Sequence, residues 1–449
     1  STRKESSAAS DVYKRQEVMY RKIMDYLKKW KSSEHRKPLI LQGARQVGKT
    51  YSILEFGRTC YENVAYFNFE TNPKLNETFA ENISPDYLIP ILSHIAGQTI
   101  IREKTLIVFD EVQLCERALT SLKYFCEDAP EYHIIVAGSL LGVAVNRTRF
   151  SFPVGKVDMK TLYPMDMEEF MLAMGEEQLV ELIKKCFQTD TPMPAALHDA
   201  AMQLYRQYLV VGGMPECVMQ FIQTKDYILV RNTQNTILAS YLNDMSKYNN
   251  LSEIKKTRLA YDNITVQLSK KNTRFQYKLI KKGGRASEFE NAIEWLCLSG
   301  IVSQVYKVEQ VKKPLENYRD IDAFKIYVSD LGLLCAKKEL LANDILYMVK
   351  ELDDFKGGMA ENYVNVQLSI NGYHTYYWES ARGAEIDFVI QREGKLIPIE
   401  VKSADNTRAK SLKVYMDTYE PDYAIKLSAK NFAFEDRKKI VPLYAAFCI

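Results

Sequence analysis

The chain has 449 residues, of which 47% are apolar and 26% charged, and its 60 basic and 57 acidic residues give a formal net charge of +3. These proportions are ordinary for globular protein and supply apolar side chains for more than one core, with about three domains expected at this length. Near-neutrality excludes a uniformly basic nucleic-acid coat but allows a local basic patch. The 19 glycines and 14 prolines are too few for a collagen-like or low-complexity chain.

The sequence favours a reduced, cytoplasmic location without membrane contact. The longest uncharged runs of the first half, Tyr87–Ile101 and Tyr132–Asn146, are shorter than the roughly 20 apolar residues that a membrane-spanning helix needs. No apolar signal core is present near the first residues, so we do not expect a secretory route. The eight cysteines are scattered and form no CxxC pair, so we expect neither a disulfide framework nor a zinc site.

Residues 1–16 are set apart from the fold. The segment Asp11–Gln16 resembles a translated sequencing-adapter sequence, and the alternative is a natural disordered tail. We expect the fold to begin near Val18 with an amphipathic helix. Its apolar residues recur at helical spacing: Ile23, Tyr26, Leu27 and Trp30.

The strongest motif is a glycine-rich loop between a predicted strand, Leu39–Leu41, and a predicted helix over residues 51–56. The loop Gly43–Thr50 matches GxxxxGK[ST], in which the glycines let several backbone N–H groups point at one phosphate and the helix adds its positive end. We predict that Lys49 binds the β- and γ-phosphates of ATP and that Thr50 ligates Mg²⁺. The predicted nucleotide-binding residues of this segment are Gly43, Ala44, Arg45, Gln46, Val47, Gly48, Lys49, Thr50 and Tyr51.

A second strand, within residues 105–111, is apolar enough to be buried on both faces and ends in two acids, Asp110 and Glu111. Asp110 is predicted to hold Mg²⁺ through water, and Glu111 to polarise the attacking water, because open α/β sheets bind ligands at the carboxyl ends of their strands. A third strand, Ile134–Ala137, leads to Ser139. That hydroxyl is either a sensor of the γ-phosphate or part of a simple turn. Residues 65–69 predict a further strand.

These motifs resemble the AAA-type ATPase module of a large bacterial and archaeal group of ATP-binding proteins. The resemblance covers residues 36–170 and includes Gly43–Thr50, the run from residue 108 to 113, and the YPM…EEF stretch that ends at Phe170. Members carry a Gly-Arg pair before that stretch, where this chain has Lys156, which lacks the bidentate fork of arginine. Arg147 and Arg149 are alternative arginine fingers, or they are plain surface residues.

The middle of the chain is predicted to be helical. Amphipathic patterns over Glu177–Thr189 and Asp199–Val211 flank a proline-containing breaker, and a further helix is predicted over residues 225–245. Between them lies Gly212–Glu216, a GGMPE turn that also matches the AAA-type group. Its two glycines indicate a tight backbone path.

A basic run follows from Lys270 to Arg285, which contains no acidic residue. A helix over residues 289–298 and a strand come next, and this order is typical of a winged-helix domain. DNA contact through the run and a basic face used only between domains are both open interpretations. The basic residues are Lys270, Lys271, Arg274, Lys278, Lys281, Lys282 and Arg285.

The C-terminal region predicts a helix with Glu361 facing inward and two consecutive strands. Asp387 lies on the first strand, and Glu400 and Lys402 share one face of the second. If the strands pair as a hairpin, Asp387 and Glu400 approach each other. Two carboxylates beside a lysine then form a metal site with a cation that can activate water.

This set resembles the PD-(D/E)XK, or restriction-endonuclease-like, superfamily, except that Ile386 replaces the proline before Asp387. Such a domain often ends the same ATPase group and is described as of unknown function; some superfamily members are inactive. The resemblance implies an α/β chain whose P-loop sheet is followed by a helical and winged-helix middle and an endonuclease-like domain. The expected units are residues 17–170, 171–250, 251–345 and 346–449.

Two functions follow as expectations. The first is a Mg-ATP-dependent ATPase that drives or gates a DNA-binding, nuclease-like domain. The second is an ATP-dependent switch or interaction protein with an inactive nuclease fold. The expected ligands are ATP and Mg²⁺, with DNA through Lys270–Arg285 in the first case, and either function is compatible with an oligomer.

Overall fold

The computed structural model describes residues 19–138, 152–247, 251–268, 274–403 and 410–449. Five of the predicted functional residues lie outside the described residues. They are Ser139, Arg147, Arg149, Lys270 and Lys271.

The first sheet has five parallel strands in the order β2-β3-β4-β1-β5. Its central strands β3 and β4 are buried along their whole length because helices cover both faces. All six residues of β3 are buried, as the sequence predicts. The strands are β1 Leu39–Gln42, β2 Asn63–Asn68, β3 Thr105–Asp110, β4 His133–Ala137 and β5 Asp158–Thr161.

In the described part of the chain, five helices pack around this sheet, and the first two carry the features that the sequence predicts. Helix α1 buries Ile23, Leu27 and Trp30. Helix α2 begins at Lys49, directly after Gly48, so its positive end faces the glycine-rich loop. The helices are α1 Ile23–Lys31, α2 Lys49–Cys60, α3 Leu75–Glu81, α4 Pro85–Ala96 and α5 Glu116–Asp128.

The middle of the chain is helical, as predicted. The helix predicted over 199–211 begins earlier, directly after Pro194, because proline is well suited to the residue before a helix but not to its interior. Helix α6 begins with a capping box in which Asp166 accepts from the Glu169 amide and Glu169 from the Asp166 amide. The helices are α6 Met167–Ala173, α7 Glu177–Thr189, α8 Ala195–Val211, α9 Pro215–Thr224, α10 Tyr227–Lys247, α11 Leu251–Leu268 and α12 Tyr277–Ile280.

The second sheet is mixed and has eight strands in the order β12-β13-β11-β10-β9-β8-β6-β7. Antiparallel β6 and β7 form a hairpin, and β6 also pairs in parallel with β8. The hairpin therefore forms one edge of the C-terminal sheet. This sheet contains strands from both sides of the domain boundary that was expected at residue 345. The strands are β6 Val302–Val308, β7 Arg319–Val328, β8 Tyr376–Glu379, β9 Glu385–Arg392, β10 Lys395–Val401, β11 Ala424–Ser428, β12 Ala433–Glu435 and β13 Lys438–Pro442.

Within the described ranges, five helices accompany this sheet. The longest, α16, contains Glu361 and covers the residues for which the sequence predicts an inward-facing helix. No helix among the described residues is long and apolar enough to cross a membrane. The helices are α13 Ala286–Leu298, α14 Leu331–Lys337, α15 Ala342–Leu346, α16 Asp353–Ile370 and α17 Lys410–Tyr419.

The GGMPE turn connects the two halves through its backbone. A Cβ atom on Gly213 would lie 2.0 Å from the carbonyl oxygen of Met165, so only glycine fits there. The amide of Gly213 donates to the buried carboxylate of Asp330 at 2.6 Å, and Asp330 also caps α14. Burial raises the pKa of Asp330 to about 6 although backbone N–H groups lower it. The tight path that the sequence indicates is therefore present.

Candidate functional site

The glycine-rich loop follows a path that its residue types permit. Gly43 and Gly48 have φ values of +148° and +90°, and Gln46 lies in the left-handed region at +66°. A Cβ atom on Gly43 would lie 2.2 Å from the carbonyl oxygen of Leu162, so close packing also requires glycine there. Gly48 lets the chain turn into α2 with its amides facing the cavity.

Lys49 lies inside this loop. Its ammonium group donates to the carbonyl oxygens of Gly43 at 2.9 Å and Ala44 at 2.7 Å. Burial lowers the pKa of Lys49 to about 8, although the nearby carboxylates of Glu111 and Asp110 raise it. The amine is therefore mostly charged at pH 7 and is held where phosphate oxygens would replace the carbonyls.

Thr50 and Asp110 meet at the end of β3. The Thr50 hydroxyl donates to Asp110 Oδ2 at 2.8 Å, and the Tyr66 hydroxyl donates to the same oxygen at 2.7 Å. Burial raises the pKa of Tyr66 to about 12, so Tyr66 remains a donor. A hydroxyl and a carboxylate are oxygen ligands of the kind that Mg²⁺ prefers. The pair therefore fits Mg²⁺, and Tyr66 is a partner that the sequence did not indicate.

Glu111 lies directly after the strand in the left-handed region, at a φ of +53°. Its amide donates to Asp110 Oδ1 at 3.0 Å, and its carboxylate accepts from the side chain of Gln113. This conformation is unusual for a residue other than glycine, and such strain is often found at functional sites. It directs Glu111 into the cavity next to Asp110.

The cavity beside the loop has a volume of about 430 Å³. Two groups of residues form its walls: the loop with the end of β3, and a second wall from α9 and the segment before α1. Ala44 and Val47 instead have buried side chains, so only their backbone can contribute. The lining residues are Met19, Arg21, Arg45, Gln46, Gly48, Lys49, Thr50, Tyr51, Ser52, Asp110, Glu111, Pro215, Glu216 and Met219.

The second wall was missed by sequence reasoning. Arg21 donates to the carbonyl oxygens of Val47 at 3.0 Å and Tyr163 at 2.7 Å, and its Nε contacts Glu169 at 3.2 Å. Arg21 therefore connects the glycine-rich loop to the segment that contains Tyr163 and Glu169. Pro215 and Glu216 belong to the GGMPE turn, whose match to the AAA-type group was a signal that could have indicated them.

The position of the expected arginine finger holds a paired lysine. Lys156 contacts Glu127 on α5 at 2.9 Å, and both side chains are partly exposed. Such a surface pair contributes little to stability and does not bring the ammonium to the cavity described above.

The C-terminal residues come together around the start of β9 and the end of β10. The antiparallel register pairs Phe388 with Ile399, so the next positions along the strands are Asp387 and Glu400. There Asp387 Oδ2 accepts from the amide of Val401 at 2.7 Å, and Lys402 contacts Glu400 at 3.3 Å.

These groups also affect each other electrostatically. Burial and the nearby Glu361 carboxylate together raise the pKa of Asp387 to about 7, although Lys325 and Lys402 lower it. The predicted Glu361, Asp387 and Lys402 therefore share one region. Lys325 of β7 also lies there, and no local motif indicated it.

A divalent ion fits only part of this cluster. Glu400 is 1% exposed and its Oε2 has no hydrogen-bond partner. A buried carboxylate oxygen without a hydrogen-bond donor is available to coordinate a metal ion. No group of three or more His, Cys, Asp or Glu side chains within the described ranges is arranged to hold a metal ion. The residues therefore fit one ion held by Asp387 and Glu400, without Glu361 as a third ligand.

The basic run is only partly within the described residues. Lys281 contacts Glu288 of α13 at 3.2 Å. Arg274 and Phe275 precede α12, and Phe275 is buried against Phe324 of β7, with ring centroids 5.4 Å apart. One aromatic residue of the run is therefore a core residue and is not available to stack on bases.

Three family profiles match the chain. An AAA domain matches residues 35–171, a domain of unknown function (DUF8612) matches residues 202–344, and a domain of unknown function (DUF4143) matches residues 356–446. The chain therefore contains an AAA domain followed by two domains of unknown function. No curated protein matches the sequence.

Several solved structures resemble the chain at low identity. The Aeropyrum pernix ORC1 protein in complex with DNA is 13% identical over 72% of this chain and 92% of that chain, with a TM-score of 0.28. The Aeropyrum pernix ORC2 protein in ADPNP-ADP complexes is 11% identical over 69% and 88%, with a TM-score of 0.31. The Thermotoga maritima RuvB Holliday junction branch migration motor is 15% identical over 63% and 87%, with a TM-score of 0.28.

Proposed function

We propose that the chain, which contains an AAA domain, binds Mg-ATP in the loop cavity and hydrolyses it. The observation that supports this best is the meeting of Thr50 and Asp110 at 2.8 Å beside the buried Lys49. These are the three groups that phosphoryl transfer in P-loop proteins requires, and they converge from the start of α2 and the end of β3.

Each residue has a role that follows from its position. The loop amides and the positive end of α2 bind the phosphates, and Lys49 exchanges its carbonyl partners for phosphate oxygens. Thr50 and Asp110 would hold Mg²⁺, which neutralises charge on the phosphates when it is bound. Glu111 accepts a hydrogen bond from the attacking water and orients it toward the γ-phosphate.

The second wall supports an adenine subsite. Met19, Pro215 and Met219 give that part of the cavity apolar surfaces, and Glu216 provides an acceptor beside them. A purine can pack between such surfaces, and the amino group of adenine can donate to a carboxylate, whereas guanine offers a carbonyl oxygen at that position. We therefore expect preference for ATP over GTP.

The test is nucleotide binding followed by phosphate release. Lys49→Ala removes a contact to ligand, so we expect loss of ATP binding in isothermal titration calorimetry while the circular dichroism spectrum is retained. Lys74→Ala, on an exposed lysine before α3, is the matched control and should bind ATP as the wild type does. Equal ATP affinity in Lys49→Ala and wild type would contradict the proposal.

The second candidate function concerns the C-terminal domain. The unpartnered Glu400 oxygen beside Asp387 and Lys402 favours a metal-dependent hydrolase acting on nucleic acid, gated by the ATPase. Lys402 would orient a water or a phosphate oxygen, and the metal would supply Lewis-acid polarisation when bound. The alternative is an ATP-dependent switch that does not cleave nucleic acid. DNA contact through Lys270–Arg285 is part of the hydrolase proposal.

Plasmid cleavage separates the two. Wild type and Asp387→Asn are incubated with plasmid DNA and Mg²⁺ or Mn²⁺, with and without ATP, and nicking and phosphate release are followed in parallel. Cleavage that Asp387→Asn abolishes supports the hydrolase. Phosphate release without nicking in any condition supports the switch. In both cases we propose an ATPase unit over residues 17–170 and a helical connector over 171–250.

A further inference from the structure

A lysine occupies the interior of the C-terminal acidic cluster. Lys325 lies on β7, and its side chain is 2% exposed. Its ammonium group contacts Glu385 Oε1 at 2.5 Å and Glu361 Oε2 at 3.3 Å. The Tyr327 hydroxyl, two positions further along the strand, donates to the same Glu361 oxygen at 2.9 Å. Glu361 therefore already has two donors on one oxygen.

The surroundings keep this lysine charged. Burial lowers the pKa of Lys325, but the carboxylates of Glu361, Glu385 and Asp387, with the Tyr327 hydroxyl, outweigh burial and raise the pKa well above its ordinary value. The ring of Tyr377 lies 5.1 Å from the ammonium nitrogen and adds a cation–π contact. A buried ammonium is tolerated only when opposite charges compensate it in this way.

The cluster as a whole has more carboxylates than amines. It contains Glu361, Glu385, Asp387 and Glu400, against Lys325, Lys402 and Lys426, which lies opposite Glu400 on β11. Lys325 lies on the side of Glu361 and Glu385, and Lys402 lies on the side of Glu400. Within the described part of the chain, Oε2 of Glu400 is the only oxygen of these four carboxylates that is buried without a hydrogen-bond partner.

We infer that Lys325 is the resident cation of this cluster and takes the place that a second divalent ion would need beside Glu361 and Glu385. A divalent ion can then be held only by Asp387 and Glu400, so the site is limited to one ion. This inference depends on the C-terminal cluster proposed above as a metal site, but it does not require that the site cleaves nucleic acid.

Removing the ammonium while keeping the shape gives a direct test. Lys325→Met preserves most of the side-chain volume but leaves Glu361 and Glu385 close together without a cation. Carboxylates in that position repel each other and attract a divalent ion, because Mn²⁺ or Mg²⁺ accepts carboxylate oxygens as ligands. We expect the variant to bind one Mn²⁺ more per chain than the wild type.

The measurement is the number of Mn²⁺ ions bound per chain, from electron paramagnetic resonance of free Mn²⁺ in titrations of nucleotide-free protein. Lys307→Met is the matched control, since Lys307 on the neighbouring β6 contacts Glu379 at 3.6 Å and is more exposed. Lys325→Met with Glu361→Gln removes one charge of each sign and should not gain the additional ion. The wild-type count itself reports on Asp387 and Glu400, independently of cleavage.

Each outcome decides the inference. One additional Mn²⁺ in Lys325→Met, absent from the control and from the double variant, supports it. The same number of ions in folded Lys325→Met and wild type overturns it. If Lys325→Met folds only when Mn²⁺ is present, as circular dichroism would show, the ion replaces the lysine and the inference holds. If it stays unfolded in Mn²⁺ while the double variant folds, the inference is wrong.

Discussion

Arg45 of the glycine-rich loop and Asp244 of α10 form an ion pair, with Nη1 and Oδ1 2.6 Å apart. The Asp244 side chain is 5% exposed, whereas that of Arg45 is 36% exposed and lines the nucleotide cavity. The pair therefore connects the loop to the helical region without any intervening residue. A phosphate that attracts the guanidinium group would compete with Asp244 for it.

We predict that Asp244→Asn tightens ATP binding by about 3- to 10-fold, or roughly 1 kcal/mol. The substitution removes a negative charge near the phosphates and frees the Arg45 guanidinium group to interact with them. Titration calorimetry with ATP gives the affinity. Asp262→Asn, which breaks an exposed pair with Lys337, is the control and should leave the affinity unchanged. Weaker ATP binding by Asp244→Asn would show that the pair supports the bound state.

We predict that Glu111→Gln binds Mg-ATP with near wild-type affinity but lowers turnover at least about 100-fold. The amide keeps the size of the side chain but cannot accept a proton from water, and general-base contributions have this magnitude. Steady-state phosphate release measures turnover. Glu62→Gln, at an exposed pair with Lys104, should hydrolyse ATP normally. Normal turnover in Glu111→Gln would remove this residue from the mechanism.

Gly213→Ala is expected to lower the free energy of unfolding by about 1–3 kcal/mol, because its Cβ atom would overlap the carbonyl oxygen of Met165. Chemical denaturation measures the change. Gly357→Ala is the opposite case, since it lies within α16 with no atom within 4 Å of the new Cβ atom. That variant should be stabilised by about 0.5–1 kcal/mol. Equal effects at the two positions would contradict the packing argument.

The pH dependence of stability should report on Asp387. Its pKa in the folded protein is about 7 against an ordinary 3.8, so between these values the folded state holds a proton that the unfolded state has lost. Its contribution to stability is therefore present below about pH 4 and is lost as the pH rises to about 7. Relative to Asp387→Asn, the wild type should become less stable across this window in urea denaturation. Parallel curves for the two proteins would contradict the raised pKa.

The nucleotide site was predictable where its residues are neighbours in sequence. Strand, loop and helix run consecutively through Gly43–Thr50, so residue type alone indicates their roles, and the apolar run before Asp110 identifies a buried strand. Arg21 and Met219 were not predictable because they reach the cavity only through the packing of distant elements.

The C-terminal cluster shows the same limit. Alternation along one strand places Glu400 and Lys402 on one face, and the hairpin brings Asp387 beside them. Lys325 lies 36 residues before Glu361, on a hairpin whose pairing with β8 depends on the whole sheet. A lone lysine on a strand has no local signature of burial among acids, so its role emerges only from the tertiary structure.

The pairing of β6 with β8 constrains how the gene for this protein can recombine during evolution. The two domains of unknown function divide the eight-stranded sheet between them, with β6 and β7 inside residues 202–344 and β8 to β13 inside residues 356–446. Either part alone would leave an unpaired strand edge exposed, which invites aggregation. Selection should therefore keep the two parts adjacent in one polypeptide, and recombination between them should rarely produce a stable protein.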